Sequence, residues 1–112
     1  MDTIRLPHHR LLAYGVAIEL LRAVRAAKVR DAGLRDQAMR AAKSACLNAA
    51  EGAGRVTRAD KARVFGIARA EAGEAAAAVE IAVEAGDAEA AALGPVLENA
   101  NRFIAMMTGL IR

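Results

Sequence analysis

The sequence contains no Trp, one Tyr and two Phe among 112 residues. Aromatic rings often dominate core energetics, so any core here has to be built mainly from aliphatic side chains. A single cysteine, Cys46, excludes an intrachain disulfide and a Cys-rich zinc site. It also fits a reducing compartment. Asn-Gly and Asp-Gly pairs are absent and runs of Val, Ile or Thr are few, so nothing reads as a β-hairpin. No apolar run approaches the ~20 residues that a membrane-spanning helix needs. The first residues, Met1-Asp2-Thr3-Ile4-Arg5, lack a secretory pattern. The default expectation is a cytoplasmic protein with no membrane association.

What remains is rich in alanine, the strongest helix former and small enough to let helices approach closely. The expected class is all-α, and the length suits one domain. Apolar periodicity and breaks predict helices over about 8–30, 34–53, 58–85 and 88–111. Helices of that length joined by short connections give an antiparallel up-down-up-down bundle, roughly 30 to 40 Å long.

The first helix carries Leu11, Tyr14, Ile18, Leu21 and Val24 at helical spacing, widened by Leu12, Val16, Leu20 and Val29. That arc is broader than one bundle core requires and implies a second buried face. Asp31-Ala32-Gly33 reads as the break before the second helix. Leu34, Ala38, Ala41, Ala42, Ala45, Ala49 and Gly52 form the inner stripe there, with Leu47 on the polar side. Thr57 followed by Asp60 reads as an N-terminal cap for the third helix. Its expected core stripe is Phe65, Ala68, Ala72, Ala76, Val79 and Val83. On the opposite side lie Gly66, Ala70, Gly73 and Ala77. Each mid-helix Gly costs up to about 1 kcal/mol against Ala, so this row predicts a closely packed neighbour. Leu47, Gly66, Ala70, Gly73 and Ala77 are therefore the candidate oligomer interface.

Gly86 and Asp87 read as a stop and a restart. In the fourth helix Leu93, Leu97, Ala100, Ile104, Met107 and Ile111 follow a seven-residue repeat. Pro95 lies inside it and should kink the helix or split off its first turn.

Charge is divided unevenly. Residues 1–69 hold 14 Lys/Arg against 6 Asp/Glu, while residues 70–112 hold 2 against 7. Pairing between basic and acidic helices is one reading, and a basic surface for a polyanion is the other. The candidate nucleic-acid cluster is Arg55, Arg58, Lys61, Arg63 and Arg69. No aromatic residue interleaves it, so base stacking is not indicated. Catalytic chemistry has no counterpart in the pattern. A bundle-type di-metal centre needs Glu-x-x-His pairs, and none occurs; His8 and His9 sit together near the start. Glu71 and Glu74 read as ion-pair partners of Arg40, Arg55 or Arg69. Met106-Met107 reads as core packing, and the Gly52-Ala53-Gly54-Arg55 stretch lacks the P-loop spacing. The expected protein is not an enzyme and carries no metal or cofactor.

The stretch Asn48-Ala49-Ala50-Glu51-Gly52-Ala53-Gly54-Arg55 resembles a motif of the four-helix bundle family of 23S rRNA intervening-sequence proteins. That family includes the accessory variability proteins of diversity-generating retroelements. The resemblance begins at Gly33-Leu34 and Gln37, passes Arg40-Ala41-Ala42 and Ser44, and resumes at Lys61, Arg63, Ile67-Ala68-Arg69 and Glu74. It ends with Met106-Met107-Thr108-Gly109-Leu110-Ile111. Cys46, Ala53 and Ala70-Glu71 depart from residues the family often carries there. The resemblance implies a structural motif of Asn48, Glu51, Gly52, Arg55 and Glu74 in a bundle assembled as a ring-shaped homopentamer. It also implies RNA or DNA binding through a basic surface, and in the retroelement branch a reverse transcriptase partner. A scaffold that binds a protein and no nucleic acid is the alternative expectation.

Overall fold

A computed structural model describes residues 4–112. Within them the chain forms four helices and no strand: α1 (Leu12–Ala26), α2 (Ala32–Gly54), α3 (Arg58–Glu84) and α4 (Leu93–Ile111). Two short 3-10 turns precede α1 and α4, over Pro7–Arg10 and Ala90–Ala92. Each helix packs on its neighbours in sequence, α1 and α4 close the ring, and the diagonal α1–α3 touches little. Neighbours run antiparallel: late α2 meets early α3 at Gly52 and Phe65. Early α2 meets the middle of α3 at Gln37 and Glu74. Arg69 on α3 reaches Thr108 on α4. The bundle measures 44 × 35 × 21 Å.

Alanine sets the packing. Ala38, Ala41, Ala42, Ala45 and Ala49 of α2 and Ala68, Ala72, Ala75, Ala76 and Ala82 of α3 are all buried. Short side chains on both faces let these two helices form the most extensive pair in the bundle. Larger side chains fill the other half: Leu20 of α1, and Val96, Phe103 and Met107 of α4, are fully buried. No polar or charged side chain is buried among the described residues. Cys46 is buried as well, and burial pushes its thiol up to about 11.

The ends of three helices, and then the core face of α4, differ from the sequence expectation. The first helix does not run over 8–30. Leu11 is extended, and after Ala26 the chain leaves the helix through Lys28, whose φ of 49° lies in the left-handed region. That turn buries Val29. It also brings the Arg30 N–H to the Asp87 carbonyl at 2.7 Å, while the Arg30 guanidinium donates to the Gly86 carbonyl at 2.7 Å. Tying two connections together outweighs one more turn of exposed helix. Secondly, α2 begins before Gly33 rather than after it. Asp31 is the N-cap, accepting from the Leu34 N–H at 2.9 Å, so Asp31-Ala32-Gly33 starts a helix instead of separating two.

Thirdly, α4 starts at Leu93 rather than at 88. Pro95 therefore falls in the first turn, where the N–H it lacks has no partner to lose. The preceding residues form the separate 3-10 turn. Asp87 is not an N-cap. It closes α3: the Asp87 N–H bonds the Ala82 carbonyl and the Gly86 N–H the Val83 carbonyl. With Gly86 at φ 81°, this is a Schellman ending. Fourthly, the core face of α4 is rotated from the expected repeat. Val96, Ala100, Phe103 and Met107 are buried, Leu97 is 40% exposed, and Leu93, Ile104 and Ile111 are half-buried. Turning Phe103 inward removes a large ring from water, a gain that exceeds burial of Leu97. Ile104 then lies toward α3, near Gly73.

Candidate nucleic-acid interface at the α2–α3 corner

The connection between α2 and α3 is only three residues long, Arg55 to Thr57. It is held by side chains on both sides. Thr57 caps α3 by accepting from the Asp60 N–H at 3.1 Å. Lys61, one turn into α3, donates to the Gly52 and Ala53 carbonyls at 3.3 and 2.9 Å. The Gly52 carbonyl also accepts from the Arg55 N–H at 3.2 Å, and the Lys61 ammonium offsets the negative end of α2. Close approach of the helices requires a glycine at position 52. A Cβ there would lie 2.6 Å from both Cδ1 and Cε1 of the Phe65 ring.

Asp60 is the hub of the charges. It accepts from Arg63 at 2.9 and 3.1 Å and from Arg55 at 3.2 Å. Arg55 also donates to Glu51, one turn back in α2. Hydrogen bonding from Arg63, with help from the Arg55 charge, holds the Asp60 carboxyl below the usual range. The Glu51 bond likewise raises the Arg55 guanidinium.

The five expected nucleic-acid residues thus split into two groups. Arg55 and Arg63 are matched against Glu51 and Asp60. Lys61 and Arg69 bond neutral oxygens, the α2 carbonyls and the Thr108 hydroxyl, while Arg58 donates to the main-chain oxygen of Arg112. The positive charge of Lys61 and Arg69 is positioned but not cancelled. Arg69 stands apart from the corner, on the α3–α4 side, where Thr108 in turn donates to the Ile104 carbonyl at 2.9 Å.

A model of the 23S rRNA-intervening sequence protein family matches residues 11–109. The chain belongs to this family. No curated protein matches it.

Within this family member, the motif residues do not form one cluster. Glu51, Gly52 and Arg55 lie together at the corner. Asn48 faces backwards, donating to the Ser44 carbonyl at 2.9 Å and hydroxyl at 3.0 Å. Glu74 lies well along α3 and accepts from Gln37 at 3.4 Å. The ion pairs expected for Glu71 and Glu74 with Arg40, Arg55 or Arg69 do not form among the described residues. Antiparallel packing explains this. It sets Glu74 beside Gln37, and Arg55 reaches Asp60 across the turn instead.

The candidate interface residues all lie on the outside. Leu47 is 70% exposed. It lies in a shallow hollow of about 530 Å³ on the outer side of α2, with Arg40, Lys43 and Glu51. Ala70 and Ala77 are exposed, and Gly66 and Gly73 half-buried. An added Cβ at Gly66 would meet nothing within 4 Å, and one at Gly73 only Ile104. The bundle itself therefore does not use the smallness of this row. Two participants were missed from sequence: Asp60 as the centre of the charge network, and Thr108 as the partner of Arg69. For Asp60 a signal existed, since Arg63 follows it by three residues and helical geometry places such pairs side by side. For Thr108, reached from another helix, none did. No helix among the described residues is long and apolar enough to cross a membrane.

Proposed function

We propose that this chain acts as a non-enzymatic, self-associating helical bundle that binds RNA or DNA through the α2–α3 corner. The assembly is a ring of five copies, the number the family resemblance implies. The observation that carries the assembly is the outer face of α3, where a Cβ at Gly66 would meet nothing within 4 Å and Ala70 and Ala77 are exposed. Two helix-weakening glycines on an outward face are costly in a monomer. They become useful when another helix lies against them. The charges of Lys61 and Arg69, fixed by neutral oxygens, support the polyanion reading. Fixed cations cost less entropy to hold against phosphates.

Light scattering across micromolar concentrations should give five times the 11.7 kDa chain mass. A strict monomer would sink the assembly. Binding to single- or double-stranded RNA and DNA should weaken steeply with salt and fall further in Arg58→Glu and Arg69→Glu. An absence of binding at low salt would remove the nucleic-acid half. In that case the second reading stands: a scaffold that binds a protein, such as a reverse transcriptase. The neutralisation of Arg55 and Arg63 by Glu51 and Asp60 favours it.

A further inference from the structure

Two hollows adjoin at the end of the bundle where α1 begins and α4 finishes. The first, about 370 Å³, is lined only by apolar residues and glycine, among them Leu11, Leu12, Met106 and Leu110. The second, about 320 Å³, shares Leu11 and Leu110 and continues toward the α2–α3 corner, ending at Arg10 and Lys61. Together they make one apolar trough with cations at one end. No carboxylate lines either part. Leu12 is 81% exposed and Leu110 43% exposed, so the trough presents large apolar side chains to water. Arg10 forms no ion pair among the described residues.

We propose that this trough docks an acidic amphipathic helix of a partner protein, its apolar side chains seated against Leu12 and Leu110 and its carboxylates facing Arg10 and Lys61. Helix-in-groove recognition needs such a combination: an apolar floor that supplies affinity and edge charges that set orientation. Charge decides among occupants. A second copy laid across the trough by a two-fold axis would bring cation to cation and be repelled, and a copy seated head-to-tail is separated by the mass measurement. A nucleic acid would find cations at one end only and an apolar floor without an exposed ring for stacking. This inference rests on the protein-partner reading in its choice of a polypeptide. It does not depend on the ring or on nucleic-acid binding.

The test uses the full chain and a fluorescent helical peptide of about 18 residues, five turns, with Leu on one face and Glu on the other. Anisotropy titration should show saturable binding. Replacing Glu with Lys in the peptide should weaken it by at least about tenfold. Leu12→Asp and Arg10→Glu should each do the same, with circular dichroism unchanged because both side chains are exposed. Ile81→Asp, at the opposite end of the bundle, should leave it intact. Equal binding of the Glu and Lys peptides, no binding of either, or indifference to Leu12→Asp would overturn the proposal. So would a concentration-dependent mass that Leu12→Asp abolishes, which would assign the trough to a second copy. Mass and RNA binding measured on the same variants keep failure here separate from failure of the proposed assembly.

Discussion

Gly52→Ala tests the packing of the α2–α3 corner directly. In an ordinary helix the change would stabilise by up to about 1 kcal/mol, because Ala restricts the unfolded chain. At this position the new methyl would lie 2.6 Å from two carbons of Phe65, well inside van der Waals contact. Phe65 is only 4% exposed, so its ring has little room to retreat. Overpacking of this kind costs about 1–3 kcal/mol. Offset by the gain in propensity, which is smaller so close to the helix end, the net loss is about 1–2 kcal/mol. For a domain of this size that lowers Tm by several degrees, about 4 per kcal/mol. Urea denaturation followed by circular dichroism gives the free energy, and an unchanged m-value would confirm that the native packing was the part altered. Phe65→Leu in the same background should recover part of the loss, because the shorter side chain leaves room for the methyl; the cycle isolates that coupling. Gly66→Ala is the control. With nothing within 4 Å of its added Cβ, it should raise the stability of the isolated bundle by about 0.5–1 kcal/mol. If Gly52→Ala proves as stabilising as Gly66→Ala, close helix approach is not the reason for the glycine.

Lys28→Gly should stabilise by about 0.5–1 kcal/mol, since Lys28 occupies a left-handed conformation at φ 49° that costs a side-chain-bearing residue; a drop in the denaturation midpoint would contradict this. Asp60 has a folded pKa below its ordinary 3.8. Its contribution is therefore present above the unfolded pKa and lost as pH falls through the lower folded value. Asp60→Asn should accordingly be less stable than wild type near neutrality, with the gap closing in acid; a gap independent of pH would refute the charge network. The Cys46 thiol, pushed up to about 11, should alkylate very slowly at pH 8 in the folded protein and rapidly in denaturant. Fast modification of the native chain would show that the Ala-rich core opens.

Local rules read well wherever the deciding partner lay within a few residues. Thr57 as a cap, Gly86 as a helix end and the alanine face of α2 follow from spacing alone, and the structure has each of them. The core face of α3 was recovered in most positions, with Val64, Ala75, Ala78 and Ala82 added. Reading failed where two local signals competed. Gly33 looked like a helix stop, yet Asp31 two residues earlier is the better N-cap, and Gly is tolerated in a first turn. Pro95 looked like an interruption only because the helix was started five residues too early. The α4 repeat was legible as a repeat, but two adjacent faces of that helix are both apolar. Nothing local says that Phe103 rather than Leu97 turns inward.

The candidate corner divides along the same line. Glu51 with Arg55, and Asp60 with Arg63, are one helical turn apart. Such pairs are written in the spacing. By contrast, the partners of Arg69 and Arg58, Thr108 of α4 and the Arg112 residue that follows that helix, depend on how the last helix docks.

The amino-acid order alone determined that this protein is all-α, with four amphipathic helices, an alanine-lined interior and a basic first half. These properties follow from propensity, periodicity and charge, which act over one or two turns. The tertiary structure decided the rest. It set where α1 stops, because Arg30 has to meet the α3–α4 connection. It also set which face of α4 is inside, with Phe103 fully buried and Leu97 left at 40% exposure. Finally, it set which cations bond neutral oxygens across helices, Lys61 on the end of α2 and Arg69 on Thr108 of α4, because that depends on how the helices dock.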